Sequence, residues 1–283
     1  MIKKVIVAES GSDMPKGFVS EYDIKIVPMH VAMGGKNLND GEFPVTDVFD
    51  YYTSTKKLPT TSATSPDEYR TMFEKIHFDD PDAQIIHLCY SAVTTATYQN
   101  SLIGSEDMDY VTHIDTKGVS GGQCAVILKM AQFLRKNPDA SLDDIKKEAD
   151  FWITHSRCAF FPGDLDYLRA GGRVSNAAYI GATILGLKPL IEIQDGKLVG
   201  TKKYRGSRAK VCKKFLVEYL KENDLEKESI YFLFSQSLEP DLMKELEQMA
   251  ADRGYPSVTW VETGCTISTH AGPGAFGIGG FVI

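Results

Sequence analysis

The sequence predicts an α/β protein of two lobes. The N-terminal lobe has a mainly parallel sheet with helices on both faces, and the C-terminal lobe has a mixed, partly antiparallel sheet. In the first half, apolar runs such as residues 4–8 and 84–90 alternate with helical patterns, which is typical of a parallel sheet. In the second half, Asp195-Gly196 is a hairpin signal between two strand-like runs. The 283 residues are enough for two lobes, which we place at residues 1–158 and 159–283.

The N-terminal lobe is expected to repeat the order strand, loop, helix. Strands are predicted at residues 4–8, 24–33, 84–90 and 110–114, and helices at residues 45–53, 66–76, 98–102, 120–135 and 143–154. The helix at residues 120–135 is expected to be amphipathic, Pro15 to open a further helix, and residues 58–66 to form a polar loop. Ligands of such sheets bind beyond the carboxyl ends of the strands, where hydroxyl-rich turns follow Ala8, Tyr90 and Ile114.

The C-terminal lobe mixes strands, a hairpin and helices. Strands are predicted at residues 159–165, 189–194, 197–204, 230–235, 257–262 and 276–283, and helices at residues 166–173, 176–185, 208–222 and 240–253. The helix at residues 166–173 ends in two glycines, and the helix at residues 176–185 consists of small and apolar residues.

Composition and charge exclude several classes of protein. Hydrophobic residues make up 43% of the chain and charged residues 24%, and the formal net charge is -7. An acidic surface repels phosphate backbones, so nucleic acid is not an expected partner. The first strand is too short for the apolar core of a signal peptide, and no segment approaches the roughly 20 apolar residues that span a bilayer. The five scattered cysteines form no CxxC pair, which argues against a zinc site or a disulfide framework and favours a reducing, cytoplasmic compartment.

Two loops carry many hydroxyl groups. Residues 60–66 contain five hydroxyl side chains, of which Ser65 is best interpreted as the cap of the following helix, because Pro66 and two acids come after it. Thr61 and Ser62 then remain as candidates for binding an anion. Residues 91–97 join a buried strand to a helix, where backbone N–H groups favour an anion, although hydroxyls are also common in ordinary turns.

The stretch THAGPGAFG at residues 269–277 is the most distinctive in the sequence. Closely spaced small residues allow a near approach of the backbone to a ligand, and His270 lies among them; the alternative is a glycine-rich bend with a capped histidine. A second candidate region is a run of basic residues, Lys202, Lys203, Arg205, Arg208 and Lys210, which Arg169 and Arg173 could join. Such a run is either a solvated face or a site for phosphate or an acidic partner.

Several catalytic patterns are missing from the sequence. It contains no GxSxG, HExxH or GxxxxGK[ST] motif, and no GxGxxG motif follows a strand. The carboxylates form no evident metal set. A hydrolase built from Ser91, His270 and Asp13, or a small-molecule kinase that uses Ser91 or His270, stays open as an alternative function.

In chain order these stretches resemble the DegV family of bacterial fatty-acid-binding proteins. The family turn Asp-Ser-x-x-Asp corresponds to residues 9–13, with Glu9 in place of the first Asp. The family loop Thr-Ser-x-Pro-Ser corresponds to residues 61–66, with the proline shifted. The motif Ser-Ser-x-Leu-Ser-Gly-Thr-Tyr corresponds to residues 91–98, which differ from it at Ala92, Thr94, Thr95 and Ala96. The stretches LDYLRAGGRVS (residues 165–175), LKP (187–189) and HAGPGAFG (270–277) match closely.

The resemblance implies a lipid-binding protein without a catalytic centre or cofactor of its own. One long-chain fatty acid such as palmitate would lie between the two lobes. Its carboxylate would be held by Thr61 with Ser62, by Ser91 with Thr95, and by His270.

The resemblance also implies a protein partner, and the sequence itself offers a candidate wall for the acyl chain. A separate ATP-dependent fatty-acid kinase would receive the bound acid for conversion to an acyl-phosphate, with Arg205 facing that partner or the phosphate, and Arg173 is a second candidate for this role. The apolar segment Ala177 to Leu187 is a candidate wall for the acyl chain, or ordinary core. A regulatory binding module without lipid is the remaining interpretation.

Overall fold

The structure is a computed structural model and describes residues 2–174 and 187–283. Four strands of the N-terminal part form one sheet: β1 (Lys4–Glu9), β2 (Lys25–Val27), β6 (Gln84–Cys89) and β7 (Val111–Asp115). The order is β2-β1-β6-β7, and every pair is parallel. The prediction of a parallel N-terminal sheet is confirmed.

Helices cover both faces of this sheet, as predicted. Since alternate strand residues point to opposite faces, odd-numbered residues of β1 contact α3 (Pro66–Asp79), on which α4 (Thr97–Gly104) packs. The even-numbered residues of β1 contact α5 (Gly121–Lys136) and α6 (Leu142–His155) on the other face. Ser65 caps α3 in a capping box with Glu68, which confirms that prediction.

The segment predicted as one strand at residues 24–33 is instead two strands in two sheets. β2 ends at Val27, Pro28 follows, and β3 (His30–Met33) enters a three-stranded antiparallel sheet. Its partners are β4 (Lys36–Asn39) and β5 (Thr60–Ser62). Proline has no N–H for a strand ladder, so the chain leaves the parallel sheet there.

The short strand β5 also corrects the prediction of a polar loop at residues 58–66. Thr61 is paired with Val31, so the hydroxyl-rich segment is held by backbone hydrogen bonds at the edge of this small sheet. α1 (Lys16–Glu21) begins after Pro15, as predicted, and α2 (Val45–Thr55) precedes β5.

The second large sheet has six strands in the order β10-β9-β8-β13-β11-β12. The strands are β8 (Ser156–Phe161), β9 (Leu187–Gln194), β10 (Lys197–Arg205), β11 (Tyr231–Phe234), β12 (Thr259–Glu262) and β13 (Phe276–Phe281). All neighbours are antiparallel except β11 and β12, so the predicted mixed sheet is confirmed. Asp195 and Gly196 both have positive φ, as the predicted hairpin turn requires.

The helix α5 lies between the two large sheets. Its core cluster contains Ile86 of the parallel sheet together with Leu233 and Phe281 of the six-stranded sheet. Twelve of its sixteen residues are buried, so the prediction of an amphipathic helix is wrong. A Cβ atom on Gly121 would lie 2.5 Å from Leu233 Cγ, which explains the glycine at the start of this helix.

The outer face of the six-stranded sheet is covered by two amphipathic helices, α8 (Arg208–Asn223) and α9 (Pro240–Ala251). α7 (Leu165–Gly171) ends at Gly172, whose φ is 63°, as expected for a glycine C-cap. α10 (Cys265–Ala271) was not predicted and contacts α7, α2 and β3. Among the described helices, none is long and apolar enough to cross a bilayer.

The predicted boundary between the lobes, at residues 158 and 159, falls inside β8, a strand of the six-stranded sheet. The boundary stays a prediction. The predicted helix at residues 176–185, and with it nearly all of the candidate acyl-chain wall, lies outside the described residues.

Candidate functional site

An apolar cavity lies between the two large sheets. It measures about 950 Å³, including the part of its mouth that is open to solvent. Tyr90 and Val119 reach it from the turns after β6 and β7, at the carboxyl ends of the parallel strands. Its other apolar walls come mainly from the six-stranded sheet and include Phe160, Leu198, Leu233, Phe234 and Phe276. The cavity is thus formed by both parts of the molecule.

Thr61 and His270 are two polar residues that line the cavity. The Thr61 Oγ1 atom lies 2.8 Å from His270 Nε2, within hydrogen-bond distance, although 209 positions separate the two residues. Thr61 comes from β5, and His270 comes from the last turn of α10. Two of the residues predicted to bind a carboxylate are therefore brought together.

The environment keeps the His270 imidazole neutral at neutral pH. Burial, and then the positive charge of Arg173, lower the pKa of His270 to about 4. Its Nδ1 atom is buried and has no hydrogen-bond partner. An unpaired acceptor is tolerated better than an unpaired N–H, so we place the proton on Nε2, which donates to Thr61 Oγ1. The Thr61 hydroxyl is then free to donate to a ligand.

Gly171, at the end of α7, leaves room for the His270 ring. A Cβ atom at this position would lie 2.2 Å from His270 Nδ1, far closer than an ordinary contact. Gly171, the first glycine of the Arg-Ala-Gly-Gly-Arg stretch, is thus needed for the packing of α7 against α10.

Two carboxylates of the N-terminal part hold the start of α10. Asp13 accepts a hydrogen bond of 2.7 Å from the Gly264 N–H, and Asp40 accepts one of 2.8 Å from the Cys265 N–H. Negative groups stabilise the N-terminus of a helix. Burial raises the pKa of the Asp13 carboxyl well above its usual value. The position of His270 therefore depends on loops that follow β1 and β4.

The hydroxyl side chains of Ser91, Thr94 and Thr95 lie in two different places, the cavity wall and the contact with the β9–β10 hairpin. Thr95 and Thr94 line the cavity, as does Ser62 beside Thr61. Ser91 is fully buried, and its Oγ atom donates a hydrogen bond of 2.8 Å to the carbonyl of Gly196, in the β9–β10 hairpin. Ser91 is not among the residues that line the cavity. Its observed contact connects the two parts of the chain.

The two candidate arginines lie in different places. Arg173 lines the cavity, and its Nη1 atom donates a hydrogen bond of 2.7 Å to the Gly171 carbonyl. Arg205 is exposed at the end of β10 and does not belong to the cavity walls. Arg208, from the same basic run, donates weakly to the carbonyl of Pro273 at 3.4 Å and so contacts the glycine-rich stretch.

Sequence reasoning missed Thr266 as a site residue. Its hydroxyl is buried without a hydrogen-bond partner, and the residue lines the cavity one helical turn before His270. Positions four apart share one face of a helix, so this spacing is a usable signal once α10 is known. The helix was missed because Cys265–Ala271 is short and carries hydroxyl residues that favour turns over helices.

Comparison with known proteins identifies the family. The family model described as "Uncharacterised protein, DegV family" matches residues 3–282. The chain belongs to the DegV family. A DegV domain-containing protein from Caldanaerobacter subterraneus is 29% identical over 98% of both chains. A "Fatty acid-binding protein" from Thermotoga maritima is 22% identical over 98% of this chain and 97% of its own.

The fold agrees with a solved structure of this family. A DegV family protein from Thermus thermophilus, described by its fatty acid binding, superposes with a TM-score of 0.89. The sequence identity is 23%, and the match covers 100% of both chains. The family resemblance and the fold class expected from the sequence are both confirmed.

Proposed function

We propose that this DegV protein binds one long-chain fatty acid, with its carboxylate at Thr61 and His270 and its acyl chain along the apolar cavity. The observation that carries the proposal is the 2.8 Å contact between Thr61 Oγ1 and His270 Nε2 at the wall of that cavity. The fatty-acid binding of the Thermus thermophilus and Thermotoga maritima relatives supports the same ligand class.

The chemistry of the polar groups suits a carboxylate. A buried charge is costly unless it is paired with hydrogen-bond donors. The Thr61 hydroxyl is one donor, the hydroxyls of Ser62 and Thr95 also line the cavity, and Arg173 adds a positive charge. Each hydrogen bond to an ionised group contributes about 1.5–3 kcal/mol. Ser91, whose hydroxyl donates to Gly196, is left out of the proposed head-group site.

The acyl chain supplies most of the binding energy. Each buried methylene contributes about 0.8 kcal/mol, and the walls offer aromatic and aliphatic side chains such as Phe160, Leu198 and Phe276.

Native mass spectrometry and a binding titration test this proposal. The purified protein should carry the added mass of one fatty acid, and the delipidated protein should take up one equivalent of palmitate or oleate. The Thr61→Val variant should bind about 10- to 150-fold more weakly, from the loss of one hydrogen bond to a charged group. Thr60→Val is the matched control, because Thr60 is exposed and lies outside the cavity walls. No lipid uptake, or equal affinity in both variants, would refute the proposal.

We further propose that the protein presents the bound carboxylate to a separate kinase for acyl-phosphate formation. The described part of the structure supports this division of labour, since His270 contacts Thr61 and not Ser91, so no Ser91–His270 nucleophile pair is formed. The exposed Arg205 and the Arg173 at the cavity are two cations that could meet a partner or the phosphate. We place this function in the cytoplasm, because all five cysteines are free thiols.

The kinase step is tested by reconstitution with ATP and the kinase protein of the same organism. Arg205→Ala should leave fatty-acid affinity unchanged and slow acyl-phosphate formation. Arg253→Ala, at an exposed arginine that follows α9 and does not line the cavity, should change neither. Equal loss of binding and phosphorylation in Arg205→Ala would contradict this role. Hydrolysis of acyl esters by the protein alone would instead favour the enzyme alternative.

A further inference from the structure

A cluster of two histidines and a cysteine lies on β6 and the edge strand β7 of the parallel sheet, outside the cavity walls. His87 and Cys89 alternate with Leu88 on β6, so they point to the same face of the sheet. His113 of β7 is the partner of His87 in the strand register. The three side chains consequently converge, and one donor atom of each lies within 4.8 Å of the others.

The donor atoms face one another at close range. His87 Nδ1 lies 2.9 Å from His113 Nδ1 and 3.3 Å from Cys89 Sγ. In tetrahedral zinc sites, with Zn–N bonds of about 2.0–2.1 Å and Zn–S bonds of about 2.3 Å, donor atoms lie roughly 3.3–3.6 Å apart. Separating the two Nδ1 atoms by a few tenths of an ångström would bring the His87–His113 pair to that spacing, and the His87–Cys89 pair already has it.

The outer nitrogen atoms of both imidazoles are already held. His87 Nε2 lies 2.9 Å from the buried Glu9 carboxylate, and His113 Nε2 lies 2.8 Å from the Ser105 hydroxyl. Histidine ligands of metals usually bind a carboxylate or another polar group through the second nitrogen, which fixes the ring and leaves the first lone pair for the ion. Both Nδ1 atoms are oriented in this way.

The buried Glu9 carboxylate supplies a compensating negative charge. This carboxylate accepts hydrogen bonds from the Tyr69 hydroxyl and the Gln123 amide, besides its contact with His87. A cation at the cluster would lie one imidazole ring away from this fixed negative charge.

One member of the cluster is accessible to solvent. His113 is half-buried on β7, an edge strand of the parallel sheet, whereas His87 and Cys89 are fully buried. An ion can therefore arrive from the side of His113.

We propose that His87, Cys89 and His113 bind one zinc ion, with water at the fourth position. Thiolate and imidazole donors suit zinc, whereas calcium and magnesium prefer oxygen donors. The site is separate from the fatty-acid cavity, so it is testable in delipidated protein.

Cobalt(II) and zinc titrations of the whole protein test the assignment. Delipidated wild-type protein should bind one equivalent of cobalt(II) with the near-ultraviolet absorption of a thiolate-to-cobalt charge transfer, and zinc should displace the cobalt. Cys89→Ser should lose the charge-transfer band, and His113→Gln should bind at least about tenfold more weakly. Cys124→Ser is the matched control, because Cys124 is equally buried and contacts Met14.

Two results would overturn the assignment. One is wild-type protein that takes up no stoichiometric cobalt(II) or zinc; the other is a charge-transfer band that survives in Cys89→Ser. If Cys89→Ser does not fold, thiol labelling of the wild type under partial denaturation replaces it. Zinc should then protect Cys89 from alkylation and leave Cys124 unprotected, and equal labelling with and without zinc would equally refute the site.

Discussion

Substitution of Gly171 by alanine should weaken fatty-acid binding without unfolding the protein. The new Cβ atom would lie 2.2 Å from His270 Nδ1, so the ring must move by about 1.2 Å to reach an ordinary contact of 3.4 Å. The Thr61–His270 hydrogen bond is 2.8 Å long, and N–H···O bonds span only about 2.7–3.2 Å. A ring movement of this size along the bond would therefore break it. The Thr61–His270 pair would separate or rotate.

The size of the effect follows from the hydrogen bond at stake. A hydrogen bond between two neutral groups contributes about 0.5–1.5 kcal/mol, which corresponds to about a 2- to 13-fold loss of affinity for the acid. Gly171 has an ordinary negative φ at the end of α7, so alanine adds no backbone strain there.

A fluorescence titration with a labelled fatty acid measures the change, and circular dichroism checks that the variant is folded. Gly17→Ala, in α1, is the matched control, because a Cβ atom there meets nothing within 4 Å. A folded Gly171→Ala variant that binds fatty acid as tightly as the wild type would refute the reasoning.

Three more predictions follow from the site. Between pH 6.5 and pH 4 the unfolded chain protonates this histidine while buried His270 stays neutral, so the free energy of unfolding falls. His270→Gln should make this fall smaller, by at most about 3 kcal/mol. Urea unfolding at both pH values measures the fall, and the same fall in wild type and variant would contradict the prediction. Ser91→Ala should lower the free energy of unfolding by about 1–3 kcal/mol, because the buried Gly196 carbonyl loses its donor, with unchanged fatty-acid affinity in titration; a large affinity loss would return Ser91 to the head-group site. Asp40→Ala should cost about 0.5–2 kcal/mol as a lost helix cap and also weaken acid binding through α10, so calorimetric unfolding and titration should both change.

The large elements of the fold could be predicted from local patterns. Buried runs such as residues 84–90 and the Asp195-Gly196 turn carry strong short-range signals, and the structure has a strand and a hairpin there. β5 and α10 have three and seven residues, too few for a clear period. Their conformation comes from tertiary contacts, namely the pairing with β3 and the carboxylates of Asp13 and Asp40.

The candidate site was predictable in its chemistry more than in its geometry. The hydroxyl loop and the histidine motif both pointed to an anion, and the structure brings Thr61 and His270 into contact. For Ser91 the sequence offered no way to know that the β9–β10 hairpin would bind its hydroxyl. The cluster at His87, Cys89 and His113 was equally hidden, because motif spacing in one segment does not show which side chains two neighbouring strands place together.

The location of α5 between the two large sheets has a consequence for how the molecule comes apart. Side chains of both sheets share one continuous hydrophobic core with this helix. If either large sheet separated from α5, the apolar surface of this shared core would be exposed to water. Heating should therefore give a single cooperative endotherm, and an isolated half of the chain should not survive as a stable folded fragment.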